Sequence, residues 1–242
     1  MVRQHPVRGD TIQVSSHSQD RSVIAILRRV SVGLGAVAAL AAIAPAAQAV
    51  PAHQAVVPGC APAAAGAPNG KQWNAEPALT IDPAASYTAT LQTTCGTVAI
   101  QLDAAAAPRT VNSFAFLAGE GYFDHTRCHR LTTQGIYVLQ CGDPTATGMG
   151  GPGYKFADEN LAGAVYPAGT VAMANAGPGT NGSQFFLVYR DTQLPPNYTP
   201  FGTVTAGMDA LTTVANAGVA GGGADGTPVA DVVFDAVTVA QG

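Results

Sequence analysis

The stretch from Val171 to Arg190, VAMANAGPGTNGSQFFLVYR, most narrows what this chain can become. An apolar β-type run (Val171, Ala172, Met173, Ala174) enters a loop of Asn, Gly, Pro and Thr. Phe185–Tyr189 then returns as a second apolar run. A simple hairpin needs only about two to five linking residues, so two strands held apart by a longer, irregular loop describe the wall of a site. Neither run carries an acid or a base before Arg190. The wall therefore suits a largely uncharged ligand.

The rest of the folded region alternates in the same way. Tyr87, Ala89 and Leu91 alternate with Thr and Gln, Cys95-Gly96 turns the chain, and Val98, Ile100 and Leu102 alternate again. This is the pattern of a half-buried hairpin with one wet face. Pro108 is placed to be a first helical residue, and Val111, Phe114 and Leu117 repeat at helical spacing as far as Gly119 and Gly121. Met208, Leu211, Val214 and Ala215 predict a second helix closed by Gly218, and Val232–Val239 a last strand. Many short strands, Gly/Pro turns and only two helices point to a mainly β barrel or sandwich with helical covers.

Charge and the N-terminus divide the chain further. Charged residues are 11% of the sequence, against 28 Gly and 17 Pro, which excludes a highly charged disordered protein. Without residues 1–49 the remainder holds 6 basic residues against 13 acidic ones. That body has no basic face for nucleic acid. The basic segment before it has its own reading. Arg28-Arg29 precede the uncharged run VSVGLGAVAALAAIAPAAQA, which ends in Ala47-Gln48-Ala49. We read residues 1–49 as a secretory signal peptide cleaved after Ala49, with a membrane anchor as the alternative. Residues 50–86, rich in Ala, Pro and Gly without a period, read as an extended or disordered linker. The folded domain is then 87–242, in a secreted or extracytoplasmic protein.

Cys128–Asp143, CHRLTTQGIYVLQCGD, is the second stretch with chemistry in it. It reads as strand, turn at Thr133-Gln134-Gly135, and strand, which sets His129 and Arg130 opposite Val138–Gln140. Cys128 and Cys141 fall near opposite ends of this hairpin, so a cross-strand disulfide and a pair of buried free thiols both stand as readings. No metal site is expected. His125 and His129 have helical spacing but fall in strand, where four residues span roughly 13 Å, and no Cys-x-x-Cys pair exists. Gly148–Gly153 formally matches a dinucleotide loop, but it lacks the flanking strand and helix and reads as a surface loop. Ser183 sits in no nucleophile elbow.

Taken in order, APRTVNSF (107–114), HR (129–130), VLQCGD (138–143), FADEN (156–160), MANAGPGTNGSQFF (173–186) and FGTV (201–204) resemble the cyclophilin family of peptidyl-prolyl cis-trans isomerases. The hairpin and LPPNYTPFG are most similar to members from high-GC Gram-positive bacteria. The resemblance implies a closed eight-stranded antiparallel β-barrel capped by two α-helices, packed inside and carrying its site on the outer surface. It implies isomerisation of X–Pro bonds in proline-containing polypeptides, without a cofactor; nothing in the sequence suggests an obligate partner, so a monomer is expected. A proline-segment-binding chaperone or adaptor with little turnover is the alternative.

The resemblance also assigns residues. Arg130 matches the catalytic arginine. Tyr137, Val138, Phe186 and Leu194 match the proline pocket, while Phe185, next to Phe186, belongs to the core because adjacent strand residues face opposite ways. Gln140 and Gln184 match polar residues that hold substrate or Arg130. Asn175 matches the position whose backbone pairs with an extended substrate, and Ala174 beside it is also assigned to substrate binding. Tyr198 replaces a histidine common in the family, and Gln193 stands where many members have a tryptophan, so cyclosporin binding is expected to be weak. Gly135-Ile136 lengthens the hairpin turn, which puts the register of Arg130 with Gln140 at risk.

Overall fold

A computed structural model describes residues 57–242. The signal-peptide reading and the first residues of the linker lie outside the described residues. Among those described, no helix is long and apolar enough to cross a membrane.

Among the described residues there are nine strands and two α-helices, most of which follow the alternation and periodicity set out above. They are β1 (Tyr87–Thr93), β2 (Gly96–Leu102), α1 (Pro108–Gly119), β3 (Arg130–Thr132), β4 (Val138–Cys141), β5 (Thr170–Met173), β6 (Phe185–Val188), β7 (Pro200–Ala206), α2 (Met208–Ala217), β8 (Asp225–Gly226) and β9 (Phe234–Gln241). They form one antiparallel sheet in the order β8-β3-β4-β6-β5-β7-β2-β1-β9. The sheet curls on itself. Arg127, just before β3, bridges Val233, just before β9, and Cys128 N–H donates to the Val232 carbonyl at 2.9 Å.

The count is one more than the eight strands that the resemblance implies. The additional one is β8, two residues long, which pairs with the outer edge of β3. It follows the glycine run 221–223, where neither apolar alternation nor propensity marks a strand. Only the neighbouring strand makes it one.

The interior side of the sheet is filled by Leu91, Ile100, Leu131, Leu139, Phe185, Leu187, Phe201 and Phe234, all essentially without solvent exposure. Phe185 stacks on Phe234 at 6.1 Å and meets Phe114 of α1 edge-on at 5.4 Å. Helix α1 buries Val111, Phe114, Leu117 and Ala118 on that core, and α2 buries Leu211 and Val214. Gly218, which ends α2, has a φ of 80° that a residue with a Cβ rarely adopts. A second, smaller cluster of Val138, Tyr166, Ala172, Phe186 and Val188 packs on the outer face. Alternation thus splits β6, with Phe185 and Leu187 inside and Phe186 and Val188 outside.

Residues 57–86 have neither helix nor strand but are not a free linker. A Cys60–Cys95 disulfide ties the segment to the β1–β2 turn, and Ala61 N–H donates to Thr94. Trp73 packs on Phe116 and Tyr122, with ring centroids at 5.1 Å and 5.8 Å. The Asn112 side chain accepts from Thr80 N–H and donates to the Ala78 carbonyl. Point anchors such as Cys60 and Trp73 hold this strap, which is why no period appears in its sequence.

Candidate functional site

The β3–β4 hairpin provides the charged wall. The lengthened turn at Gly135-Ile136 does not shift the ladder: Arg130 pairs with Gln140 and Leu131 with Leu139. A disulfide joins Cys128 to Cys141 across the base of this hairpin. Alternation aims Arg130, Val138 and Gln140 outward and Leu131 and Leu139 into the core. The Arg130 guanidinium donates from Nη1 to Gln140 Oε1 at 3.2 Å. Gln140 Nε2 donates to Gln184 Oε1 at 2.9 Å, and Gln184 Nε2 to the Gly150 carbonyl at 2.9 Å. Each amide is therefore oriented by the next, back to a backbone carbonyl.

On its other edge the guanidinium meets Asp225 from β8. Nε donates to Oδ1 and Nη2 to Oδ2, both at 2.7 Å. The pair shifts both groups apart: the hydrogen bond to Asp225 raises Arg130 above its ordinary value, and the same bond holds the Asp225 carboxyl below its own. Among the described residues three N–H donors of Arg130 are thus taken, leaving one N–H on each of Nη1 and Nη2 without a partner.

The apolar wall comes from β5, β6 and the chain leading to β7. Phe186 pairs with Gln140 across β4–β6 and with Ala172 across β5–β6. Its ring lies 5.6 Å from Tyr198, edge-on. Tyr198 is held by Tyr166, whose hydroxyl donates to the Tyr198 carbonyl at 2.8 Å and accepts from its N–H at 3.1 Å. Leu194 packs on the same cluster. The walls enclose an open recess of about 500 Å³ lined by Arg130, Val138, Gln140, Ala174, Asn175, Phe186, Leu194 and Tyr198.

Asn175 is tied by its side chain, which donates to the Asn197 carbonyl at 2.8 Å and accepts from Gly177 N–H. Among the described residues, its own backbone N–H and carbonyl have no partner in the protein. They stand at the rim as an unpaired edge for an extended chain.

Two assigned residues do not line this recess: Gln184 stands behind Gln140 and faces the adjoining one, and Tyr137 is turned away. Tyr137 packs instead against Tyr189, with the Arg190 guanidinium 3.4 Å above its ring. Its neighbours Ile136 and Val138 line the recess. Tyr137 precedes β4, and its N–H donates to Thr192 Oγ1 at 2.9 Å while its ring turns to Tyr189. Ile136 and Asp225 went unassigned from sequence. Neither carried a local signal: Ile136 lies in the turn before β4, and Asp225 is 95 residues from Arg130.

His129 also lines the recess. Both its ring nitrogens are buried without a hydrogen-bond partner among the described residues. Burial lowers its pKa from the ordinary 6.5, with Asp143 opposing and Arg130 adding to the shift, so the neutral ring is favoured.

A second, larger recess of about 1030 Å³ adjoins the first and shares Gln140, Ala174 and Asn175 with it. The strap forms one side through Gln72, Asn74 and Glu76, and the loop after β4 forms another. Asp143 shapes that loop by accepting N–H bonds from Thr145, Thr147, Gly148 and Gly150. The strap holds it from outside: Trp73 N–H donates to the Pro152 carbonyl at 2.8 Å and Gln72 Nε2 to the Gly151 carbonyl at 2.7 Å. A Cβ at Gly153 would lie 2.6 Å from the Trp73 carbonyl, so only glycine permits this approach.

Comparison with known proteins agrees with this geometry. The family model described as cyclophilin type peptidyl-prolyl cis-trans isomerase/CLD matches residues 88–239. The chain belongs to that family. It is 50% identical over 170 residues to a probable peptidyl-prolyl cis-trans isomerase B of Mycobacterium leprae, covering 64% of this chain and 57% of that one. The Mycobacterium tuberculosis H37Rv protein described in the same words is 49% identical, with 64% and 55% covered. The chain therefore spans little more than half the length of these relatives. A cyclophilin type isomerase from Cryptosporidium parvum, solved in the presence of the dipeptide Ala-Pro, superposes with a TM-score of 0.57 at 30% identity, over 64% of this chain and 99% of that one. Residues Gln72–Glu76 of the second recess precede the matched region.

Proposed function

We propose that this protein is a peptidyl-prolyl cis-trans isomerase acting on X–Pro bonds of polypeptides. One observation carries the reading: a guanidinium with two unused N–H groups stands at the mouth of a recess whose other wall is Phe186, Leu194 and Tyr198. The relative solved in the presence of Ala-Pro supports the same substrate class.

The chemistry follows from the amide. Resonance imposes a rotation barrier of roughly 20 kcal/mol on the X–Pro bond. Twisting breaks the resonance and localises the lone pair on the prolyl nitrogen, which then accepts a hydrogen bond that a planar amide does not. A donor at that nitrogen stabilises the twisted state more than either planar isomer, so it lowers the barrier by differential binding. Arg130 supplies the donor. Phe186, Leu194, Val138 and Ile136 grip the ring and exclude water, and the free backbone of Asn175 aligns the chain. No bond to the protein forms and no proton is transferred.

A peptide isomerisation assay on the wild type and on Arg130→Ala tests the proposal. Equal rates would remove the mechanism; inactivity of both, with retained peptide binding, would favour the chaperone or adaptor reading instead. The exposed Gln193 offers no indole to a bound ligand, so cyclosporin is proposed to bind weakly; tight binding by the purified protein refutes this. We further place the protein outside the cytoplasm. The Cys60–Cys95 and Cys128–Cys141 disulfides suit an oxidising compartment, and N-terminal sequencing of the mature chain tests cleavage after Ala49.

A further inference from the structure

Asp225 lines the recess beside Arg130 and grips that side chain at two points. A two-residue strand places the carboxylate. In β8, Asp225 pairs with Thr132 and Gly226 with Leu131, and Thr133 N–H donates to the Ala224 carbonyl at 2.8 Å. Thr132 and Arg130, two residues apart in β3, lie on one face of the strand. The Asp225 side chain therefore reaches diagonally to the guanidinium.

This pair is poorly suited to holding the fold together. The side chains are 37% and 55% exposed, and exposed ion pairs contribute little to stability. It is well suited to orientation. An arginine has many rotamers, and without Asp225 the guanidinium would keep only its single 3.2 Å bond to neutral Gln140. A bidentate carboxylate fixes the plane of the fork as well as its position, and positioning of a transition-state donor acts directly on the rate. We infer that Asp225 is a positioning residue for the isomerase reaction, holding the Arg130 guanidinium so that its free Nη1 and Nη2 hydrogens face the twisting X–Pro amide. The inference rests on the function proposed above.

Asp225→Asn in the full chain is the test. The variant amide keeps one acceptor but turns an NH2 toward the guanidinium, breaking the fork. The expected result is a fall in kcat of about tenfold, with KM within about twofold and an unchanged melting temperature, the scale of one charge-assisted hydrogen bond. Asp225→Glu, which retains the charge and both acceptors, recovers part of the loss. In an Arg130→Ala background Asp225→Asn has no further effect, because the two residues act as a unit. An unchanged or faster Asp225→Asn enzyme, or an equal loss with and without Arg130, overturns the inference. Should the wild type be inactive, the proposed function fails by itself. The fork is then read from the Arg130 Nε–H resonance: a protected signal lost in Asp225→Asn supports it, and an unchanged signal refutes it.

Discussion

The two walls of the groove are built by opposite means. The β3–β4 wall presents Arg130 and Gln140 in a run of hydrogen bonds from Asp225 to Gly150, with its charged end open to solvent. The β5–β6 wall consists of fully buried strands, and Phe186 is held by packing against Ala172, Tyr166 and Tyr198. One wall is positioned by directional bonds that contribute little to stability, the other by dense packing that contributes much. Damage to the first should therefore appear in the rate, and damage to the second in stability and binding.

Arg130→Ala gives the largest expected effect and the sharpest test of that division. The value of kcat/KM should fall by about 10²- to 10³-fold, the loss typical of removing one preorganised donor, while the melting temperature stays close to that of the wild type. A variant that lost activity only because it unfolded would break the comparison. Phe186→Ala should behave in the opposite sense. Removing a ring that is 4% exposed should cost about 3 kcal/mol in chemical denaturation and raise KM more than it lowers kcat. If stability were unchanged, the apolar wall would not be held by packing.

Gln184→Ala tests the length of the polar network. It removes the link between Gly150 and Gln140, so kcat should fall by about threefold to tenfold, less than for Arg130, with little change in stability. An undiminished kcat would show that Gln140 orients the guanidinium unaided. The smallest effect is on pH. His129 is pushed below 6.5 by burial, so the unfolded chain binds its proton more readily than the folded one. Its contribution to stability is thus fully present above that value and lost on acidification. The melting temperature should fall between about pH 7 and about pH 5, and fall less in His129→Asn. Parallel curves for the two proteins would show that the ring is not buried neutral.

Much of this was legible before any coordinate. Alternation placed Phe185 in the interior and Phe186 on the outer face, and the helices of 108–119 and 208–217 were marked by their apolar spacing and their Pro and Gly ends. These are local signals, readable wherever a residue's surroundings repeat with the period of its own strand or helix. The differences arise where that rule does not apply. Tyr137, matched to the pocket by resemblance, lies just before β4 and packs on Tyr189 instead. The strap of 57–86 has no period, so Trp73 and Cys60 gave no hint that they would meet Phe116 and Cys95.

The sequence by itself determined the alternation, the two helices, the uncharged β5–β6 wall and the presence of a single arginine opposite Gln140. The tertiary structure alone decided what surrounds that arginine. Asp225 reaches it from 95 positions away through a two-residue strand, and Gln72 and Trp73 brace the loop that carries Gly150. Such contacts join residues whose neighbours in sequence bear no trace of the partner. They exist only once the curled sheet has brought distant segments to the same edge.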